Sequence, residues 1–352
     1  MSGNKETGMQ RTRFIAFLLF FVVAASMLSA AGRDWEKYPA YIEITGAPRV
    51  YAVGDVHGAF DQFAATLAAL KVATRTSKDS FRFTWQGEDA VLVLTGDLTD
   101  RGLYSKQTYD AVMDLQIQAE KAGGKVIVTL GNHEVMLLNG QVEEWAKTLT
   151  SHKKQHYQNT IDSFTRDGLD FHQAISENGV YGRWIRNRPL FAVVNGFMFV
   201  HGGLANKPVT RSTLAADYKD DIDRGDFKKG IFMNQESVLW NRDWWKNDEL
   251  VDQGLKALGI MGVVFGHTTE ALGLKGKIIS KADRLVAIDI GMTPSYGYSQ
   301  GGGLAITTAA GDQLVFRAVY PDAPEEMLFS VKMPASAYPQ TRSKKVRALT
   351  AN

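Results

Sequence analysis

Five apolar runs of strand length each end, close to a glycine, in side chains that bind metals or move protons. Val50–Val53 runs into Gly54-Asp55-Val56-His57-Gly58, and Val91–Thr95 into Gly96-Asp97-Leu98-Thr99-Asp100-Arg101-Gly102. Val126–Leu130 is followed by Gly131-Asn132-His133-Glu134, Phe197–Val200 by His201-Gly202-Gly203, and Gly262–Phe265 by Gly266-His267-Thr268. Residues i and i+2 of an extended segment point the same way, so Asp55 and His57 can reach one point beyond their strand. A carboxylate and an imidazole make a fair start to a divalent-metal site. Alone, that pair is the pattern of a capping aspartate beside a surface histidine. Five such endings, taking in four of the seven histidines, form a constellation instead. The carboxyl ends of strands are also where sites form in α/β sheets.

The elements that must position these residues are legible in the spacing. Helical patterns separate the first three runs: Phe60–Leu70, apolar at 60, 63, 67 and 70, and Tyr104–Ala122, apolar at 104, 109, 112, 115, 117 and 119. Strand alternating with helix argues for βαβ units. Further runs at Leu190–Val194, Leu285–Ile290, Leu304–Thr308 and Leu314–Tyr320 make the last third strand-rich. Asn195-Gly196 between two apolar runs is a type I′ hairpin signal, and Ala309–Gln313 is another turn. The fold expected is α/β (α+β): two packed sheets flanked by helices. Residues 141–188 read as a helical insertion, whose His152, His156 and His172 receive no role. Residues 205–236 read as a polar insertion, a long loop or a small helical unit. The catalytic body is expected over 32–340, with a C-terminal tail at 341–352.

Composition narrows the setting. The 352 residues are 45% hydrophobic and 22% charged, which suits a globular chain with a sizeable core. Arg11 and Arg13 precede the apolar run Phe14–Ala25, and small residues at Ser29 and Ala31 suit cleavage before Gly32. Residues 1–31 therefore read as a secretory signal peptide, which points to a periplasmic or secreted protein, with an uncleaved membrane anchor as the alternative. That segment carries Lys5, Arg11, Arg13 and Glu6; removing it takes the formal charge from +2 to about zero. No basic field remains to hold nucleic acid, and no stable membrane partner is expected once the signal is cleaved. There is no cysteine, so disulfides are excluded and any metal site must use oxygen and imidazole ligands.

The ordered set GDxHG, GDxxDRG, GNHE, HGG and GHT, within residues 49–308, resembles the phosphoprotein phosphatases of the calcineurin-like metallophosphoesterases. GNHEVM and the late DIGMTPSYG resemble their bacterial, Shewanella-like branch. The resemblance implies a β-sandwich with helices on both outer faces, carrying two divalent metal ions, manganese first and iron or zinc as alternatives. It implies that Asp55, His57 and Asp97 hold one ion, and that Asp97, Asn132, His201 and His267 hold the second. His133 is then the general acid, oriented by Asp100, and Arg101 and Asn132 bind the substrate phosphate. Arg242, in the segment VLWNRDWW, resembles the second phosphate-binding arginine of bacterial and phage-type members.

Two ions carry +4 and the two aspartates return −2, which leaves charge for a bridging hydroxide and a phosphate. Glu134 reads as structural. Trp240, Trp244 and Trp245 read as packing, with stacking on an aromatic leaving group as a further possibility. The activity implied is hydrolysis of phosphate monoesters by direct attack of a bimetal-bound hydroxide. The expected substrate is a phosphorylated protein or peptide, at serine, threonine or tyrosine. Its rivals are a dinucleoside polyphosphate hydrolase and a non-catalytic phospho-ligand binder. The lack of cysteine departs from the eukaryotic serine/threonine branch, so that branch's toxin sensitivity and partner subunits are not carried over.

Overall fold

Alternation along the central strands decides how the two main sheets meet. In the computed structural model, which describes residues 33–151 and 153–333, Val50 and Ala52 face one core while Tyr51 and Val53 face another. Val91 and Val93 join Val50; Leu92 and Leu94 join Val53. Phe197, Phe199 and Val264 come to the Val50 core from the other sheet. That core is the inter-sheet layer, and the larger one lies between the outer faces and the helices. With side chains alternating in strands, both faces of the central strands Val91–Leu94, Phe191–Val194, Phe197–Val200 and Gly262–Phe265 are buried, so these strands read as continuous apolar runs. The expected signal segment, the tail at 341–352 and His152 lie outside the described residues.

One sheet runs in the order β1 (Tyr41–Ile44), β7 (Phe191–Val194), β8 (Phe197–Val200), β9 (Gly262–Phe265), β11 (Leu285–Ala287), β10 (Ile279–Lys281). The other runs β14 (Glu326–Lys332), β13 (Gln313–Val319), β12 (Gly303–Ala309), β2 (Arg49–Val53), β5 (Val91–Leu94), β6 (Lys125–Val128). A two-stranded sheet, β3 (Ala73–Arg75) with β4 (Phe83–Trp85), stands apart. β2, β5 and β6 are parallel neighbours, and so are β8, β9 and β11.

Helices α1 (Phe60–Ala69) and α2 (Ser105–Lys121) follow the expected periods. Next come α3 (Asn132–Leu138) and the helical insertion, α4 (Gln141–Thr148), α5 (Lys153–Thr165), α6 (Phe171–Ile175) and α7 (Val180–Arg186). The polar insertion contains α8 (Arg211–Arg224), and α9 (Asp248–Leu258) precedes β9. Asn195 (φ 52°) and Gly196 (φ 86°) form the type I′ turn between β7 and β8. The expected strand Leu285–Ile290 is corrected: its ladder stops at Ala287, and Ile288–Ile290 continue buried but unpaired as a strand.

Candidate active site

The carboxyl ends of three parallel strands from each sheet converge, and hydrogen bonds cross the seam. The backbone N–H of His267, after β9, donates to both Asp55 oxygens at 3.1 Å, after β2. His201, after β8, donates from Nδ1 to the Thr95 carbonyl at 2.9 Å, after β5. Tight loops bring them together: His57, Asp97, Asp100, Arg101 and His267 all have positive φ, between 48° and 71°. For non-glycine residues that conformation is costly and tends to gather where function demands it. Gly96 and Gly131 allow a close approach of the two loops. A Cβ on Gly96 would lie 2.6 Å from the Gly131 backbone, and one on Gly131 would lie 2.3 Å from the nitrogen of Asp97.

Asp97 is the hub. Its Oδ1 accepts from the His133 backbone N–H at 2.9 Å. Its Oδ2 is left 3.6 Å from His57 Nε2, 3.3 Å from His201 Nε2 and 3.9 Å from His133 Nε2. His57 donates from Nδ1 to the Thr99 carbonyl at 2.8 Å, so its Nε2 faces Asp97, as does that of His201. His267 is reversed. Its Nε2 donates to the Trp240 carbonyl at 3.0 Å, which leaves Nδ1 as the acceptor nitrogen, 3.5 Å from Arg242 Nη2. Asn132 presents Oδ1 2.7 Å from His201 Nε2. Two clusters of metal-ligand type result, His57-Asp97-His133 and Asp97-His201-His267, all buried.

The electrostatics call for cations. Burial, then the charge of Asp289, pushes Asp55 well above the usual carboxylate range. Burial also opposes ionisation of Asp97, but His201, His133 and His57 outweigh it and hold it well below that range. Burial keeps His57 and His267 neutral, with lone pairs available. His201 is pushed up to about 9: burial opposes the charge, but Asp97 and Asp55 overcome it. Its proton sits among the donors that would otherwise share a divalent ion. The donor set therefore fits divalent ions, and Asp97 is common to both clusters.

Beside this hub, His133 donates from Nδ1 to Asp100 Oδ2 at 2.6 Å, and Arg101 Nη2 lies 3.4 Å from its Nε2. His133 thus meets both descriptions, a third imidazole near Asp97 and an imidazole steered by a buried acid. Arg101 Nε is buried without a hydrogen-bond partner. Arg101, Arg242, His57 and Asp97 line one cleft of about 260 Å³. Arg242 is anchored there by Nη1 donating to the His267 carbonyl at 2.5 Å.

A family model described as calcineurin-like phosphoesterase matches residues 48–270, the span that holds every one of these ligand-type residues. The chain belongs to the calcineurin-like phosphoesterase family. "Shewanella-like protein phosphatase 1" of Plasmodium berghei is 28% identical over 287 residues, 76% of this chain and 73% of the relative. A symmetrical bis(5'-nucleosyl)-tetraphosphatase of Glaesserella parasuis is 31% identical, but over 47% of this chain and 48% of its own. The crystal structure of a cold-active protein-tyrosine phosphatase from a Shewanella species superposes with a TM-score of 0.64 at 21% identity, covering 85% of each chain. At that identity the likeness shows a common fold.

Five further residues complete the description of this phosphoesterase. Glu134 caps the loops at Asp97 and Gly131, the structural role read for it. Trp244 and Trp245 are buried against Phe265, which removes both from any stacking role at the cleft. Asp289, to which the sequence reading gave no role, is a buried carboxyl lining the cleft two residues past β11. It is a sixth strand end. It was hidden because Leu285–Ile290 reads as one unbroken strand. Tyr296 also lines the cleft, with the Arg101 guanidinium 5.4 Å from its ring centre.

Proposed function

We propose that this calcineurin-like phosphoesterase is an exported metallophosphatase that removes phosphate from phosphorylated proteins or peptides. The observation that carries the reading is the meeting of Asp100, His133 and Arg101 beside the Asp97 hub, with Arg101 and Asp97 lining the cleft. Asp55, His57 and Asp97 would hold one divalent ion, and Asp97, Asn132, His201 and His267 the other. Two such ions supply Lewis-acid polarisation of the phosphoryl group and activation of water.

The chain's own groups do the rest. Arg101 offers a buried N–H with no other acceptor, and Arg242 faces it from the other sheet's loops; together they can clamp phosphate oxygens. Asp100 holds the His133 ring through Nδ1, which turns Nε2 toward Asp97 and Arg101, where it can give a proton to the leaving oxygen. Alkoxide leaving groups, as from phosphoserine, need that proton most. Export is supported by the leader pattern. Arg33, the second residue after the expected cut, donates to the carbonyls of Tyr38, Pro39, Arg186 and Arg188.

The partial similarity to tetraphosphatases keeps one other reading in play, cleavage of dinucleoside polyphosphates. Mature protein reconstituted with manganese and offered phosphoserine, phosphothreonine and phosphotyrosine peptides and diadenosine tetraphosphate separates the two. Faster turnover of the dinucleotide overturns the proposal. His133→Asn should lower turnover of poor leaving groups while metal content persists; equal loss of metal would make His133 a ligand.

A further inference from the structure

Among the described residues the helical insertion contributes no side chain to the hub, yet α5 lies directly behind the Asp100–His133 pair. Thr160, completely buried on α5, donates from Oγ1 to Asp100 Oδ1 at 2.8 Å. His133 Nδ1 occupies the other carboxylate oxygen, Oδ2, at 2.6 Å. Ser105 Oγ accepts from the Asp100 backbone N–H at 3.2 Å and lies 3.3 Å from Thr160 Oγ1. One residue earlier on α5, Asn159 Nδ2 donates to the Arg101 carbonyl at 2.9 Å. The backbone closes the grip, because the Arg101 N–H donates to the His156 carbonyl at 3.2 Å.

These contacts matter because the turn they hold is not one the chain would choose. Asp100 and Arg101 are consecutive non-glycine residues at φ 71° and 66°. Such conformations persist only where the surroundings over-determine them. A carboxylate torsion is broad and roughly two-fold, so an Asp100 bonded through Oδ2 alone could swing. With Thr160 on Oδ1 the plane of the carboxylate is fixed, and with it the plane of the imidazole.

We propose that Thr160 and Asn159 are positioning residues for the reaction: α5 sets the orientation of the Asp100–His133 pair through Thr160 and the placing of Arg101 through Asn159. The inference rests on reading that pair as the proton donor to the leaving group.

A series of aryl phosphates of rising leaving-group pKa, assayed on manganese-loaded protein, tests it. Thr160→Val keeps the shape and removes the donor. It should lower kcat on phenyl phosphate by about 10-fold or more, yet change 2,4-dinitrophenyl phosphate less than about 2-fold, since a good leaving group needs no proton. Thr160→Ser should restore both rates, with metal content unchanged throughout. Thr160→Ala serves if the valine variant does not fold. Asn159→Ala should weaken inhibition by inorganic phosphate by roughly 10-fold at nearly constant kcat, because it frees the backbone that carries Arg101.

An equal fall on every leaving group, or no fall at all, overturns the positioning role. His133→Asn, run in parallel, separates the two levels. If it steepens the leaving-group dependence and Thr160→Val does not, only the role of α5 fails. If His133→Asn leaves the dependence flat, the proton-donor reading fails and takes this proposal with it.

Discussion

Replacing Glu134 by glutamine changes a single atom and should nevertheless destabilise the protein measurably. Glu134 is buried, and its carboxylate accepts four hydrogen bonds. Oε2 takes the N–H groups of Asp97 at 2.8 Å and Gly131 at 3.1 Å. Oε1 takes the Leu98 N–H at 2.9 Å and the Tyr109 hydroxyl at 3.1 Å. A glutamine must put an NH₂ where one of these oxygens stood. The better choice is Oε1, because the Tyr109 hydroxyl can turn to accept, but the Leu98 N–H then faces another donor. A buried donor left unpaired costs about 1–3 kcal/mol, and the remaining bonds weaken from charge-assisted to neutral, for a total near 3 kcal/mol.

Burial, with the charge of Asp97, pushes Glu134 up to about 7, so the metal-free protein near neutral pH already holds part of this group protonated. Cations bound at the neighbouring Asp97 would favour the charged form, so the loss should be largest in the metal-loaded protein. With an unfolding entropy of about 2.1 cal/mol/K per residue over roughly 300 ordered residues, 3 kcal/mol lowers the melting temperature by about 5 °C. Circular-dichroism melts with and without manganese read this directly, and Tyr109→Phe, which removes one neutral donor, should cost only about 1 kcal/mol. A Glu134→Gln protein that melts with the wild type and keeps its metal affinity would refute the claim that this carboxylate organises the Asp97 loop.

Two other expectations concern the site itself. His201 titrates near 9 in the metal-free fold, above the ordinary histidine value, so its contribution to stability is complete below about pH 6.5 and is lost as pH rises through about 9. The same proton must leave when a cation binds, so apparent metal affinity should rise over that interval. Calorimetry in buffers of different ionisation enthalpy should show proton release near pH 7, and its absence would contradict the charged His201. Arg242 is exposed and held through the His267 carbonyl, so Arg242→Ala should fold normally and raise KM for aryl phosphates by about 10-fold, the worth of one lost charge-assisted bond. Steady-state kinetics with a melting curve beside them decides it; an unchanged KM would put Arg242 outside the phosphate clamp.

The hub was legible in the sequence because each strand that feeds it announces its own end. A buried apolar run, a glycine and a carboxylate, amide or imidazole are all local signals, and five such endings point to strands whose carboxyl ends meet at one place. Where one of those signals was blurred, the reading failed. Asp289 follows β11 without a glycine before it, and Ile288 and Ile290 on either side keep the apolar run going, so the end of the strand could not be seen. The short strands failed for a related reason. β1, β3, β4 and β10 run for three or four residues, too few for a period to emerge, and β14 is an edge strand whose first two residues are exposed. The Trp244 and Trp245 cluster could be read as packing but not placed, since the contact with Phe265 joins segments about twenty residues apart.

The support of the site was not legible at all, and the reason is chemical. Thr160 and Ser105 act through hydroxyls, Asn159 through an amide, and Leu98, Gly131 and His267 through backbone N–H groups. Every chain has dozens of such groups, and nothing in their spacing marks the few that meet a buried carboxylate. The positive φ angles at Asp97, Asp100 and Arg101 are hidden in the same way, because in this conformation a sequence advertises glycine and not its neighbours. Ligand types are rare and carry their own signal. The groups that hold them at the right angle are common, and only the folded chain distinguishes them.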